Sequence, residues 1–166
     1  MQEPANTKEK PLTTLEKATN YSTMEHIQNV QKYMASFIDK LMYRLLNHDK
    51  SKMENPELLY FVQFTSKLKE LTYGSDEYEQ SLKDMKPALD HHYAWNFHHP
   101  EHNKNGINGM TLVDLIEMLA DWTSSVKRSP NGSIIKSLEI NKKRFGISDQ
   151  LYEILENTIR ELQLDR

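Results

Sequence analysis

An all-α bundle of about six or seven helices is the fold class this chain predicts, and three observations predict it. Apolar residues recur at three- and four-residue spacing in segment after segment, no stretch alternates with period two, and the segments are bounded by helix caps and prolines. The 166 residues are one ordinary domain, long enough to bury roughly two-thirds of the unfolded surface.

Residues 1–20 are polar, contain Pro4 and Pro11, and predict a flexible N-terminal arm with at most a helical turn near Leu15. A single domain over 21–166 follows. Ser22 with Glu25 reads as a capping box, and Ile27, Val30, Tyr33, Met34, Phe37, Leu41 and Leu45 continue at helical spacing. The first helix should therefore run from about 23 to 46 and stop just before His48-Asp49. Pro56 opens a second helix through Leu58, Leu59, Phe61, Val62, Phe64 and Leu68, closed by a turn around Gly74. Residues 76–86 form a third, and Pro87 starts or kinks the next, which carries Leu89, His91, His92, Trp95 and Asn96. Pro100 disfavours helical geometry at His99, so the chain should leave the helix there and enter the loop EHNKNGINGM. Thr111 opens a helix through Leu112, Leu115, Ile116, Met118, Leu119 and Trp122. The turn Ser129-Pro130-Asn131-Gly132 then leads to helices over 133–144 and 148–163.

Composition narrows the chemistry. The net charge of −3 comes from interspersed acids and bases, without the basic stripe that a general nucleic-acid surface requires. Cysteine is absent, which removes disulfides, thiolate nucleophiles and cysteine-bound zinc, and leaves His, Asp, Glu and water to hold any metal. The opening MQEPANTKEKPLTT lacks the apolar core of a signal peptide, and no stretch approaches the roughly 20 apolar residues of a membrane span. A cytoplasmic location with no membrane partner is the expectation.

The seven histidines are His26, His48, and the cluster His91, His92, His98, His99 and His102. Five of them in HHYAWNFHHPEH, with the adjacent pair His48-Asp49 and the later Asp121, form a set of imidazoles and carboxylates suited to a divalent cation. Asp121 ends an i, i+3, i+7 row with Asp114 and Glu117 amid apolar neighbours. A carboxylate drawn toward an interior needs a cation or a hydrogen-bond donor. Glu117 and Asn96 are candidates to brace the ligands from behind. On one continuous helix His91, Trp95, His98 and His102 would share a face and His92, Asn96 and His99 another, and both faces cannot point at one metal. His92 and His99 rank first as ligands, then His91 and His98, because a turn at Pro100 lets His98 and His99 converge from the loop. Trp95 reads as a core residue sooner than as a stacking wall for a nucleobase.

The order His26, His48-Asp49, Asp121 resembles the HD superfamily of metal-dependent phosphohydrolases over roughly residues 23–126, with Leu119-Ala120-Asp121 similar to its last motif. Lys52, three residues after Asp49, and the pair His91-His92 are similar to the branch that cleaves cyclic dinucleotides. His98-His99-Pro100-Glu101-His102 replaces that branch's Gly-Tyr-Pro signature. Taken whole, HDKSK, HHYAWNFHHPEH and LVDLIEMLADW resemble a small phage- and bacteria-associated domain family of uncharacterised function.

The resemblance implies an HD-like helical bundle in which His26, His48, Asp49 and Asp121 bind a first divalent metal. Asp49 would bridge to a second held by cluster histidines, the ions being drawn from Mn, Mg, Co, Zn and Fe. Lys52 would pair with a substrate phosphate, and His98 or His102 would protonate the leaving oxygen. The implied partner is a small phosphorylated substrate, a nucleotide or cyclic nucleotide, and a homo-oligomer is left open. Two alternatives use the same residues: a di-iron oxygenase of the same superfamily, and a metal-stabilised interaction protein without turnover.

Overall fold

The computed structural model describes residues 11–71, 75–129 and 131–165, in which seven α-helices and three single 3-10 turns occur and no strand. The helices are α1 Thr14–Asn47, α2 Glu57–Glu70, α3 Asp76–Asp84, α4 Lys86–Trp95, α5 Leu112–Val126, α6 Ile134–Phe145 and α7 Asp149–Glu161. The predicted all-α bundle of six or seven helices is what forms. Residues 1–10 of the predicted arm, and Gly74 and Pro130 of two predicted turns, lie outside the described residues. Among the described residues no helix is long and apolar enough to cross a membrane.

The chain divides into two compact units, Met1–Lys40 and Leu41–Arg166. In the first, α1 begins at Thr14 rather than near residue 23, because Thr13 and Glu16 form a reciprocal cap ahead of the predicted one. Thr13 N donates to Glu16 Oε2 at 2.7 Å and Glu16 N donates to Thr13 Oγ1 at 3.3 Å. No residue of α1 is buried.

The core of the second unit is made by α5, α6 and α7 with the loops between them: Ile107, Met118, Leu119, Ile134, Leu138, Ile147, Leu155 and Ile159 are all buried in one cluster. Local chemistry sets the ends of these helices. Thr111 caps α5 by accepting from Asp114 N, and Asp114 Oδ2 accepts in return from Thr111 N and Oγ1. Ser133 and Ser148 cap α6 and α7, and Gly146 ends α6 with φ 64°, a left-handed conformation that a residue without Cβ adopts most readily. On the other side of the unit, α2 packs on α4 and on the turn Lys50–Met53. That contact carries the segment after α1 to the histidine-bearing helix.

Candidate metal centre

The site begins where α1 stops. Asp49 turns the chain with φ 55° and ψ 16°, a left-handed conformation that aspartate tolerates better than most side chains, and a 3-10 turn follows. Asp49 thereby points its two oxygens at different partners. Oδ1 lies 3.4 Å from His92 Nε2 and 3.6 Å from His98 Nε2, whereas Oδ2 lies 3.5 Å from His48 Nε2 and contacts the Lys52 ammonium. His92 Nε2 is 2.9 Å from His99 Nε2, and His48 Nε2 is 4.0 Å from Asp121 Oδ1. Asp49 is thus shared by two groups, one with His92, His98 and His99 and the other with His48 and Asp121.

The cluster histidines reach this point because α4 ends at Trp95, before His99. Asn96 marks the stop: its backbone turns extended at φ −114° and ψ 107°, while its N and its side-chain Nδ2 both donate to the His92 carbonyl, at 3.0 and 2.8 Å. His92 then comes from the helix, and His98 and His99 come from the loop that Pro100 turns. The two sides converge on Asp49.

Two carboxylates, Glu57 buried and Glu117 half-buried, fix the rings from behind. Glu117 on α5 sits 3.0 Å from His48 Nδ1 and 3.3 Å from His98 Nδ1. The first is a hydrogen bond; the second is a close contact whose direction is too poor for one. Arg44 anchors the far side of Glu117 at 3.0 Å and reaches Asp114 at 2.6 Å. Glu57, at the first position of α2 and with no exposed surface, lies 2.7 Å from His91 Nδ1 and 2.9 Å from His92 Nδ1. A carboxylate accepting at Nδ1 leaves the Nε2 lone pair free, and in His48 and His92 it is Nε2 that faces Asp49.

A family model described as "Family of unknown function (DUF5662)" matches residues 15–161. The chain belongs to DUF5662. No curated protein and no solved structure matches it.

In this DUF5662 chain the donor set can hold a metal ion. Asp49 Oδ1 and His98 Nε2 are buried without a hydrogen-bond partner and face one another, a pairing that an ion between them would satisfy. Two ligand atoms on one ion at about 2.1 Å and roughly right angles lie about 3 Å apart, close to the separation of the His92 and His99 nitrogens. The electrostatics suit ligation. Burial, with the neighbouring His98, His92 and Lys52, holds His99 down at about 3, so its lone pair is free at neutral pH. Burial and Lys52 also lower His92. Burial pushes the Asp49 carboxyl up, but the Lys52 ion pair outweighs it and keeps the group ionised. Burial acts likewise on Glu117, where His48, His98 and Arg44 prevail and hold it at about 2. The Glu117 hydrogen bond raises His48 against its own burial.

The other predicted residues are placed differently. His26 is exposed on α1, within the unit Met1–Lys40. His91 stands about 100° round α4 from His92, which turns it to Glu57 and away from Asp49. His102 binds the Tyr93 carbonyl through Nδ1 at 2.9 Å and packs on Phe97, outside the ligand groups. Trp95, expected in the core, is 68% exposed: it follows His91 by one turn on the same face of α4 and borders the cleft with Lys50 and Glu54. Asp114 caps α5 and pairs with Arg44, and takes no place in the ligand groups. Asn96 does stand behind a ligand: its amide hydrogens go to the Ser51 hydroxyl at 2.8 Å and to the His92 carbonyl. Glu57, Arg44 and Ser51 were not singled out from sequence. The one signal for Glu57 was an acid at the start of a helix, a position where acids are commonplace.

Proposed function

We propose that this protein is a metal-dependent phosphohydrolase of small phosphoesters, with nucleotides and cyclic nucleotides the first substrates to screen. The observation that carries the reading is Asp49, one carboxylate shared between the His48–Asp121 pair and the His92–His98–His99 trio. Divalent cations bound at such a pair of sites lower the pKa of water toward neutrality and clamp phosphoryl oxygens. The reaction adds a water oxygen to phosphorus, breaks the ester P–O bond and transfers a proton to the departing oxygen.

The chain's own residues supply position and charge. Glu57 and Glu117 hold the imidazoles in one tautomer and orientation. Lys52 brings an ammonium into contact with Asp49, where it can pair with a phosphate oxygen or pass a proton to the leaving group. His98, enclosed within the ligand group, serves there as a ligand rather than as the proton donor. The resemblance in motif order to the HD superfamily supports the same reading.

The test is a metal-supplemented screen of nucleoside mono- and triphosphates, cyclic mono- and dinucleotides and nitrophenyl phosphoesters, on the parent and on Asp49→Ala. Turnover that disappears in Asp49→Ala with helical content retained is the expected result. Full activity in that variant overturns the assignment. Two tightly held irons with a visible absorption band and no phosphoester turnover would assign oxygen chemistry instead.

A further inference from the structure

We propose that the cavity beside His48 and Asp121 takes the apolar part of the phosphoester, an aromatic ring or a short alkyl chain. This rests on the hydrolase reading and narrows its substrate class, from nucleotides, whose ester substituent is a ribose, to aryl and alkyl phosphoesters. The cavity, about 410 Å3, lies between the last turns of α1 and the middle of α5. His48 and Asp121 line it and also belong to one ligand group with Asp49, so a phosphoryl group held there would direct its ester substituent into this space.

The walls decide what fits. Leu41 and Leu45, one turn apart on α1, face Ile116 and Ala120, one turn apart on α5. Leu45 and Ile116 are 69% and 50% exposed, so the cavity presents apolar surface beside a cluster of charged and imidazole groups. The cation in the wall is already committed: Arg44 pairs with Asp114 and Glu117, and its guanidinium lies 4.5 Å from the centre of the Phe97 ring. A sugar or another hydroxyl-rich group entering here would exchange water for leucine and isoleucine, with the Ser124 hydroxyl as a remaining polar partner. An apolar group gains from the same exchange. By contrast, the polar cleft by Trp95, Lys50 and Glu54 contains none of the ligand-group residues and lies on the Nδ1 side of His92.

The experiment uses the full chain loaded with magnesium or zinc and carrying labelled methyl groups. It is titrated with 1-naphthyl phosphonate, with methylphosphonate, and with 1-naphthylmethanol, which has no phosphoryl group. The expected result is ring-current shifts at Leu41, Leu45, Ile116 and Ala120 with both naphthyl probes, and at least tenfold tighter binding of naphthyl phosphonate than of methylphosphonate. Leu45→Gln and Ala120→Phe change exposed positions, the first making a wall polar and the second filling the space. Each should reduce the naphthyl preference fivefold or more, with helical signal and metal content checked in parallel. Naphthyl shifts at these methyls without turnover of any phosphoester would keep the cavity assignment and remove the hydrolase reading. Turnover with no naphthyl preference and no methyl shifts would overturn the cavity assignment alone. Shifts that follow protein concentration, with a dimer by mass, would show that a second copy fills the cavity and also overturn it.

Discussion

Glu57 Oε2 lies 2.9 Å from His92 Nδ1, a pairing in which the carboxylate has no exposed surface and the imidazole only 2%. Asn96 Nδ2 also approaches that nitrogen, at 3.0 Å, but its two hydrogens are taken by Ser51 Oγ and the His92 carbonyl. His92 is therefore the donor to Glu57, and its Nε2 keeps a lone pair toward Asp49 and His99. Removing such a brace typically weakens metal affinity 10- to 100-fold. Glu57→Ala should lose about that much in a competition against a coloured chelator. Glu57→Gln, which keeps an acceptor oxygen, should recover part of it. Equal affinity in Glu57→Ala and the parent would remove the bracing role.

Asp49 divides the ligands in a way that stoichiometry can read. With Oδ1 facing His92 and His98 and Oδ2 facing His48, the parent should retain two divalent ions per chain. His99→Ala and His48→Ala should each retain one, and Asp49→Ala none. Metal content after dialysis is the measurement. One ion in the parent, lost equally in both histidine variants, would mean that the two groups act as a single site.

The bundle was legible in the sequence because each helix carries its own periodicity and cap; Thr111 and Pro87 open α5 and α4 where expected. The end of α4 was not, because the chain turns extended at Asn96, ahead of the proline that announces a break. The convergence of His92, His98 and His99 was half legible, since Pro100 announced a turn but not its direction. Glu57 was hidden for a physical reason: an acid in the first turn of a helix is favourable on an exposed surface, and only packing of α2 against α4 buries it.

The pH dependence of the metal-free protein follows from His99 and Glu117 on the acid side, in overlapping windows, and from His48 on the alkaline side. His99, ordinarily near 6.5, is held at about 3, so its contribution to stability is present above 6.5 and is lost as pH falls toward 3. Glu117, ordinarily near 4.5, is held at about 2; its contribution is present above 4.5 and is lost as pH falls through 2. His48 is raised above 6.5, so its contribution is complete below 6.5 and is lost as pH rises through the folded-state value. Thermal stability should therefore peak near pH 6.5 and decline on either side. Histidine resonances give a second readout, with His48 titrating above 6.5 and His99 staying neutral to about pH 3. A His99 ring that protonates near 6.5 would show that burial does not hold it neutral.

Lys52 and the metal should compete for the same oxygen. The Lys52 ammonium contacts Asp49 Oδ2, the oxygen turned toward His48, so a cation bound by His48, Asp49 and Asp121 meets a like charge there. Two unit charges at 4 Å interact by about 4 kcal/mol at an effective dielectric of 20. Lys52 is one-third exposed, and solvent screening reduces this severalfold. Lys52→Met should accordingly bind the divalent ion about three- to tenfold more tightly, roughly 0.7–1.4 kcal/mol. At saturating metal the same variant should turn over phosphoesters at least tenfold more slowly, because the ammonium that could meet a phosphate oxygen is gone. Lys52→Arg, which keeps the charge, should sit near the parent in metal affinity. Weaker metal binding in Lys52→Met would show that the lysine holds Asp49 in place rather than competing for it, and an unchanged kcat/KM would leave it no part in phosphate recognition.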